Sequence, residues 1–136
     1  ELAGKDIYFN KAGCANCHHA NSFMPSWGIV RNIGLEMDYE DEGSGNGHFK
    51  VPTLRNIEFT APYMHDGRFE TLEEVIEHDN SGIQAHPELA WELRDIEENP
   101  IRLGLNEKEK EELLAFLHTL SDYTFTREER FSNPFR

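Results

Sequence analysis

The chain has two cysteines, and both fall within five consecutive residues, Cys14-Ala15-Asn16-Cys17-His18. Few chemistries use two thiols at that spacing, so this segment limits the fold more than any other feature. A redox dithiol would need a strand before the pair and a βαβ pattern around it, and the sequence shows neither. A zinc site would need two further soft ligands at matching spacing, and no other cysteine exists. The third chemistry is covalent haem attachment. The two thiols can reach the two vinyl groups of one haem, and His18 then presents its imidazole to the iron from the same side. One such motif implies one covalent haem c. It also implies a periplasmic or otherwise exported protein, because such haems are attached after export.

The surrounding composition suits one compact domain: 136 residues, 38% hydrophobic and 29% charged. No apolar run approaches the roughly 20 residues of a membrane-spanning helix. Thirteen basic against 26 acidic side chains give a formal charge of −13, which argues against nucleic acid or an anionic membrane as the partner. A basic redox protein fits better. The acids concentrate in residues 36–42 and in residues 70–98, where Arg94 is the one base. These runs read first as solvated faces and second as a docking surface for a cationic partner. The sequence starts at Glu1 with no apolar leader, as expected of a processed chain or of a domain from something longer.

A haem iron held by one histidine needs a sixth ligand or an open position, and that choice separates an electron carrier from a catalyst. The candidates are Met24, Met37, Met64 and the histidines at 19, 48, 65, 78, 86 and 118. Met24 is too near the motif to reach the opposite face easily, and Met37 sits in an acidic, glycine-flanked loop. Met64 lies some 46 residues after His18 in a turn-rich loop, enough chain to return from the far side. His65 beside it is the competitor; the remaining histidines read as surface residues.

Three segments carry a resemblance. They are Phe49-Lys50-Val51-Pro52-Thr53-Leu54-Arg55-Asn56-Ile57, Thr60-Ala61-Pro62-Tyr63-Met64-His65-Asp66-Gly67-Arg68-Phe69 and Thr71-Leu72-Glu73-Glu74-Val75-Ile76. With Cys14–His18 and Asn32-Ile33-Gly34, they resemble the C-terminal, high-potential haem domain of bacterial di-haem cytochrome c peroxidases and their MauG relatives. The resemblance implies His18 as proximal and Met64 as distal iron ligand, and a domain that takes electrons from a donor and passes them to a peroxidatic haem. MauG-type members have a tyrosine at the Met64 position, so methionine here favours electron transfer. The family's peroxidatic domain has no counterpart in this sequence. At the family's interdomain calcium site, this chain's share would be the carbonyls of Thr60 and Pro62. The acidic run from Asp38 to Glu42 does not have EF-hand spacing.

The fold expected is mainly α: a small c-type cytochrome domain over residues 1–120, with crossed N- and C-terminal helices around one haem. A short helix over 3–12 leads through Gly13 into the motif. Thr71 with Glu74 and Asn106 with Glu109 form capping boxes for two further helices, and Pro87 suits the first turn of another running to about Glu97. Gly4 allows close approach of the first and last helices. Residues 121–136, with Phe125, Phe131 and Phe135, are expected to lie along the domain or on a missing neighbour. Phe23, Trp27, Ile33, Leu35, Leu54, Ile57, Phe59 and Tyr63 are candidates for the haem's apolar shell. Arg55 is the candidate partner for a haem propionate, because a guanidinium suits a carboxylate in bidentate geometry. Trp91 reads as a core or docking aromatic. Two functions follow: electron transfer through a six-coordinate His/Met iron, or a module of a di-haem peroxidase that reduces hydrogen peroxide.

Overall fold

Helix α1 (Leu2–Asp6) continues directly into a wider turn of π-helix over Ile7–Lys11, where the Ala12 N–H donates to the Ile7 carbonyl at 2.8 Å. The computed structural model describes every residue except Ala20, Ser26, Trp27, Pro134 and Arg136. The candidate shell residue Trp27 therefore lies outside the described residues. The helix expected over 3–12 is thus one helical segment whose second half is wider than an α-helix.

Both capping boxes form as their spacing requires. At α2 (Leu72–Glu77), Thr71 Oγ1 accepts from the Glu74 N–H and the Glu74 carboxylate accepts from the Thr71 N–H at 3.0 Å. At α3 (Glu107–His118), Asn106 and Glu109 exchange the same two bonds at 3.1 and 2.9 Å. Each box satisfies amides that a helix start leaves unpaired. Two short strands, β1 (Val30–Arg31) and β2 (Phe49–Lys50), pair antiparallel with Val30 opposite Lys50.

The core forms where α1 meets α3. A Cβ on Gly4 would collide with the Glu112 carbonyl oxygen and come within 2.9 Å of the Phe116 Cβ, so glycine is what lets these helices touch. Tyr8 is fully buried beside this contact, its ring 5.2 Å from Phe116 and 5.8 Å from Phe23. Ile7, Leu54, Ile76, Leu105, Leu113 and Leu117 complete the cluster.

Two local expectations are corrected. Residues 87–97 do not form a helix; only Trp91–Leu93 makes a single 3-10 turn. The competing bonds are tertiary. The Ala90 N–H donates to the Asn32 carbonyl at 2.9 Å, and the Arg94 guanidinium donates to the Leu89 and Pro87 carbonyls at 2.7 and 2.8 Å. His78, read as a surface residue, is buried, with Nε2 3.1 Å from the Ile33 carbonyl. In the C-terminal stretch, Tyr123 donates to the Glu58 carboxylate and stacks edge-on against Phe59 at 5.0 Å. Beyond it Phe125 and Phe131 lie 4.9 Å apart, and both are about half exposed.

Gly4→Ala should lower stability by about 1–3 kcal/mol, the usual cost of forcing a group into a filled contact. Urea unfolding would show it as a lower midpoint at unchanged slope. An unchanged midpoint would mean that the two helices do not meet through this residue.

Candidate functional site

Between the α1–α3 core and the Tyr63–Phe69 loop lies a cavity of about 420 Å³, within the usual range of cofactor and ligand sites. Its wall includes Cys17, His18 and Met64, together with the apolar Ile33, Leu35, Val51, Leu54, Ile57 and Tyr63. Residues from three distant parts of the sequence therefore converge on one apolar space.

The motif reaches this wall through local geometry. Gly13 sits in the left-handed region at φ +64°, which turns the chain out of the helical segment into a 3-10 turn over Cys14–Asn16. The His18 N–H then closes onto the Cys14 carbonyl at 2.9 Å. From the core, the Tyr8 hydroxyl donates to the His18 carbonyl at 2.6 Å. The His18 ring is fixed from the other side, with Nδ1 3.0 Å from the Pro52 carbonyl. That bond makes Nδ1 the protonated nitrogen and leaves the Nε2 lone pair for a metal, an orientation typical of ligand histidines. Burial lowers the His18 pKa against the raising effect of the Pro52 and Phe23 backbone carbonyls, which favours the neutral ring.

Both cysteines are free thiols. Burial, reinforced by the carboxylate of Asp79, pushes Cys14 up to about 12. Burial, then the charge of Glu92, pushes Cys17 up to about 11. A nucleophilic redox pair has a lowered pKa, so these thiols lack the activation that chemistry requires.

The Met64 loop is held at both ends. Tyr63 and Phe69 close it through an antiparallel bridge, with the Tyr63 N–H donating to the Phe69 carbonyl at 2.7 Å. Arg68 donates to Asp66 at 2.8 Å, to Glu36 at 3.0 Å and to the Leu35 carbonyl at 3.1 Å, tying the loop to the opposite wall. Met64 itself takes φ +72°, which a side chain adopts only where its surroundings enforce it. His65 stacks on Phe49 with ring centres 3.7 Å apart, and its buried Nδ1 has no hydrogen-bond partner among the described residues.

The other sequence candidates divide. Ile33, Leu35, Leu54, Ile57 and Tyr63 line the cavity; Phe23 packs on the core, and Phe59 is exposed against Tyr123. Arg55 is exposed, lies outside the cavity wall and donates to the Asn21 carbonyl at 3.2 Å. The cations on the wall are Arg31 and Lys50, which the sequence reading passed over. Arg31 is held by Glu92 through two nitrogens at 3.0 and 2.7 Å, with the Glu92 side chain only 3% exposed.

Asp79 also lines the cavity, and burial pushes its carboxyl up to about 7. The acidic run 70–98 is therefore not wholly a solvated face. Asp79 continues the apolar stripe of Leu72, Val75 and Ile76 at helical spacing, and that pattern could have placed it inward. Nothing in the sequence links Arg31 to Glu92, 61 residues away. Among the described residues, no cluster of three or more His, Cys, Asp or Glu is placed to hold a metal ion, and no helix is long and apolar enough to cross a membrane.

Taken together, the elements define a small, mostly helical domain whose Cys-x-x-Cys-His segment abuts one apolar cavity. No family model matches the chain. It is 34% identical over 127 residues to the methylamine utilization protein MauG of Methylorubrum extorquens, a match covering 86% of this chain and 33% of that protein. It is 30% identical over 154 residues to the cytochrome-c peroxidase IdrP2 of Denitromonas iodatirespirans, covering 87% of this chain and 38% of that protein. Against cytochrome c551 peroxidase of Nitrosomonas europaea it is 37% identical over 89 residues, 57% of this chain and 26% of that one. The crystal structure of a MauG-like protein associated with microbial copper homeostasis has a TM-score of 0.75 at 34% identity, over 99% of this chain and 50% of that chain. The chain is thus homologous, over most of its length, to the MauG proteins and cytochrome c peroxidases of the di-haem family. It spans about a third of the length of the curated relatives it matches.

Asp66→Asn should weaken one of the bonds by which Arg68 fixes the Met64 loop and cost about 1 kcal/mol or less, as expected of an exposed ion pair. The hydrogen bond from Arg68 holds the Asp66 carboxyl below its ordinary range. Its contribution is therefore complete above that range and is lost as pH falls through the lowered value. Unfolding measured across acid pH should show variant and wild type converging at the low end.

Proposed function

We propose that this chain is a single-haem c-type domain that transfers electrons through a six-coordinate His/Met iron. The homology supports a haem-based redox role. The observation that carries the finer reading is the convergence of Cys17, His18 and Met64 on one apolar cavity, with His18 Nδ1 already engaged by Pro52. The buried, unpartnered Nδ1 of His65 fits an occupant with polar groups at its edge. When bound, the haem supplies a one-electron Fe(III)/Fe(II) couple.

The chain's own part is to anchor, ligate and shield. Cys14 and Cys17 would form the thioether bonds to the haem, and the Tyr8 bond to the His18 carbonyl holds the motif against the core. His18 donates the Nε2 lone pair, with its ring angle set by Pro52. Met64 offers its thioether from the loop that Arg68 clamps. With both ligands held in place, little reorganisation would oppose an electron entering or leaving. The apolar residues Ile33, Leu35, Leu54 and Ile57 exclude water, and together with the sulfur ligand they disfavour the more highly charged oxidation state and raise the potential. Covalent attachment places the mature chain in the periplasm or another exported compartment, where it exchanges electrons with a redox protein or with further domains of a longer chain. The names of the relatives favour one further reading, a module of a di-haem peroxidase that reduces hydrogen peroxide.

An absorption spectrum of the haem-loaded chain tests the ligation. A low-spin spectrum with the weak red-edge band of sulfur on ferric iron is expected, and high-spin bands with rapid peroxide turnover would overturn it in favour of catalysis. Met64→Ala or Met64→His should lower the potential by on the order of 0.2 V, within the roughly 0.8 V that axial ligands span. An unchanged potential would rule out Met64.

A further inference from the structure

Among the described residues, Asp79 is the only carboxylate on the cavity wall. It sits in the π-helical turn His78–Gly82 that follows α2, on the inward stripe of Leu72, Val75 and Ile76. Its neighbours in that segment are engaged. Glu77 pairs with Lys110 at 2.7 Å, and His78 Nε2 lies 3.1 Å from the Ile33 carbonyl. Asp79 is half-buried, and no hydrogen bond or opposite charge acts on it; burial alone pushes it up to about 7. An acid left without a partner in an apolar cavity is poised between its two forms.

The other charges that face this region are balanced already. Arg31 across the wall is neutralised by Glu92, and Lys50, His18, His65, Tyr39 and Tyr63 complete the titratable lining. From α3, Lys110 is committed to Glu77 and Glu107, and from the loop before α3, Arg102 donates to the Ile83 carbonyl. The field of Asp79 nevertheless reaches the anchoring segment, because its carboxylate raises both the Cys14 and the Cys17 thiol. A group bonded to those sulfurs would lie within the same field. A ferric site carries one more positive charge than a ferrous one and so favours the ionised carboxyl. The linkage is reciprocal: an electron that raises the proton affinity of Asp79 is itself held more tightly once the proton is bound.

We propose that Asp79 couples a proton to the electron. As the site gains one electron from an external reductant, the Asp79 carboxylate takes one proton from solvent, and its new O–H bond breaks again when the electron leaves. The proposal rests on the haem reading for the electron, and on Asp79 alone for the proton. The potential of the haem-loaded chain is measured against pH by spectroelectrochemistry. In the wild type it should fall as pH rises through neutrality, with a slope approaching about 59 mV for each tenfold drop in proton concentration. Asp79→Asn, neutral and of the same shape, should keep the wild type's acid-limit potential at every pH. The infrared difference spectrum, reduced minus oxidised, should show a protonated-carboxyl C=O band that shifts in D2O and is lost in this variant. A flat wild-type potential overturns the proposal. So does a slope that persists in Asp79→Asn, which would assign the proton to another group. Should that variant fail to take up haem, the wild-type infrared spectrum decides, and absence of the carboxyl band overturns the coupling. A ferric spectrum lacking the sulfur band would overturn the Met64 ligation alone, since the slope and its loss require only a haem held by His18.

Discussion

The hydroxyl of Tyr8 joins the two halves of this molecule. Its ring is completely enclosed by Phe116, Phe23 and Phe9, where the first and last helices meet, and its oxygen donates to the carbonyl of His18. A buried hydroxyl without a partner is costly, so the core is well satisfied only when the backbone of His18 lies at that point. The α1–α3 contact at Gly4 thus reaches the candidate site through one side chain. Pro52 completes the arrangement by setting the angle of the His18 ring. Folding and the placement of the His18 ring are consequences of the same packing.

The Met64 part of the wall is organised differently: its loop is held by a bridge between Tyr63 and Phe69 and by the three-way grip of Arg68. A histidine ring fixed by the core on one side and a methionine fixed by charge and backbone bonds on the other make a site whose two halves respond to different conditions. Protonation of Asp66 weakens one of the bonds that hold the Met64 loop, whereas the His18 side rests on burial.

Acidic residues do several jobs that their sequence distribution does not separate. Asp79 is half-buried on the cavity wall, the Glu92 side chain is buried against Arg31, and Glu88, Asp95 and Glu97 are exposed to solvent. A run of like charge is thereby divided between interior and surface. The division follows from where the backbone of 87–98 is tied to Asn32 and to its own Arg94, bonds that also prevent this segment from coiling into the helix its proline suggested.

Local chemistry was legible from the residues alone. Capping boxes at Thr71 and Asn106, the glycine turn before Cys14 and the Cys-x-x-Cys-His spacing all act over a few positions, so their partners can be read along the chain. Helical spacing would have turned Asp79 inward as well. Arg31 with Glu92, the Pro52 carbonyl beneath His18, the stacking of His65 on Phe49 and the position of Arg55 outside the cavity wall were decided only by the tertiary structure. Each depends on segments tens of residues apart meeting at hydrogen-bond or stacking distance. No local preference specifies which distant carbonyl or carboxylate a side chain will meet; that is set by how the whole chain closes around its core.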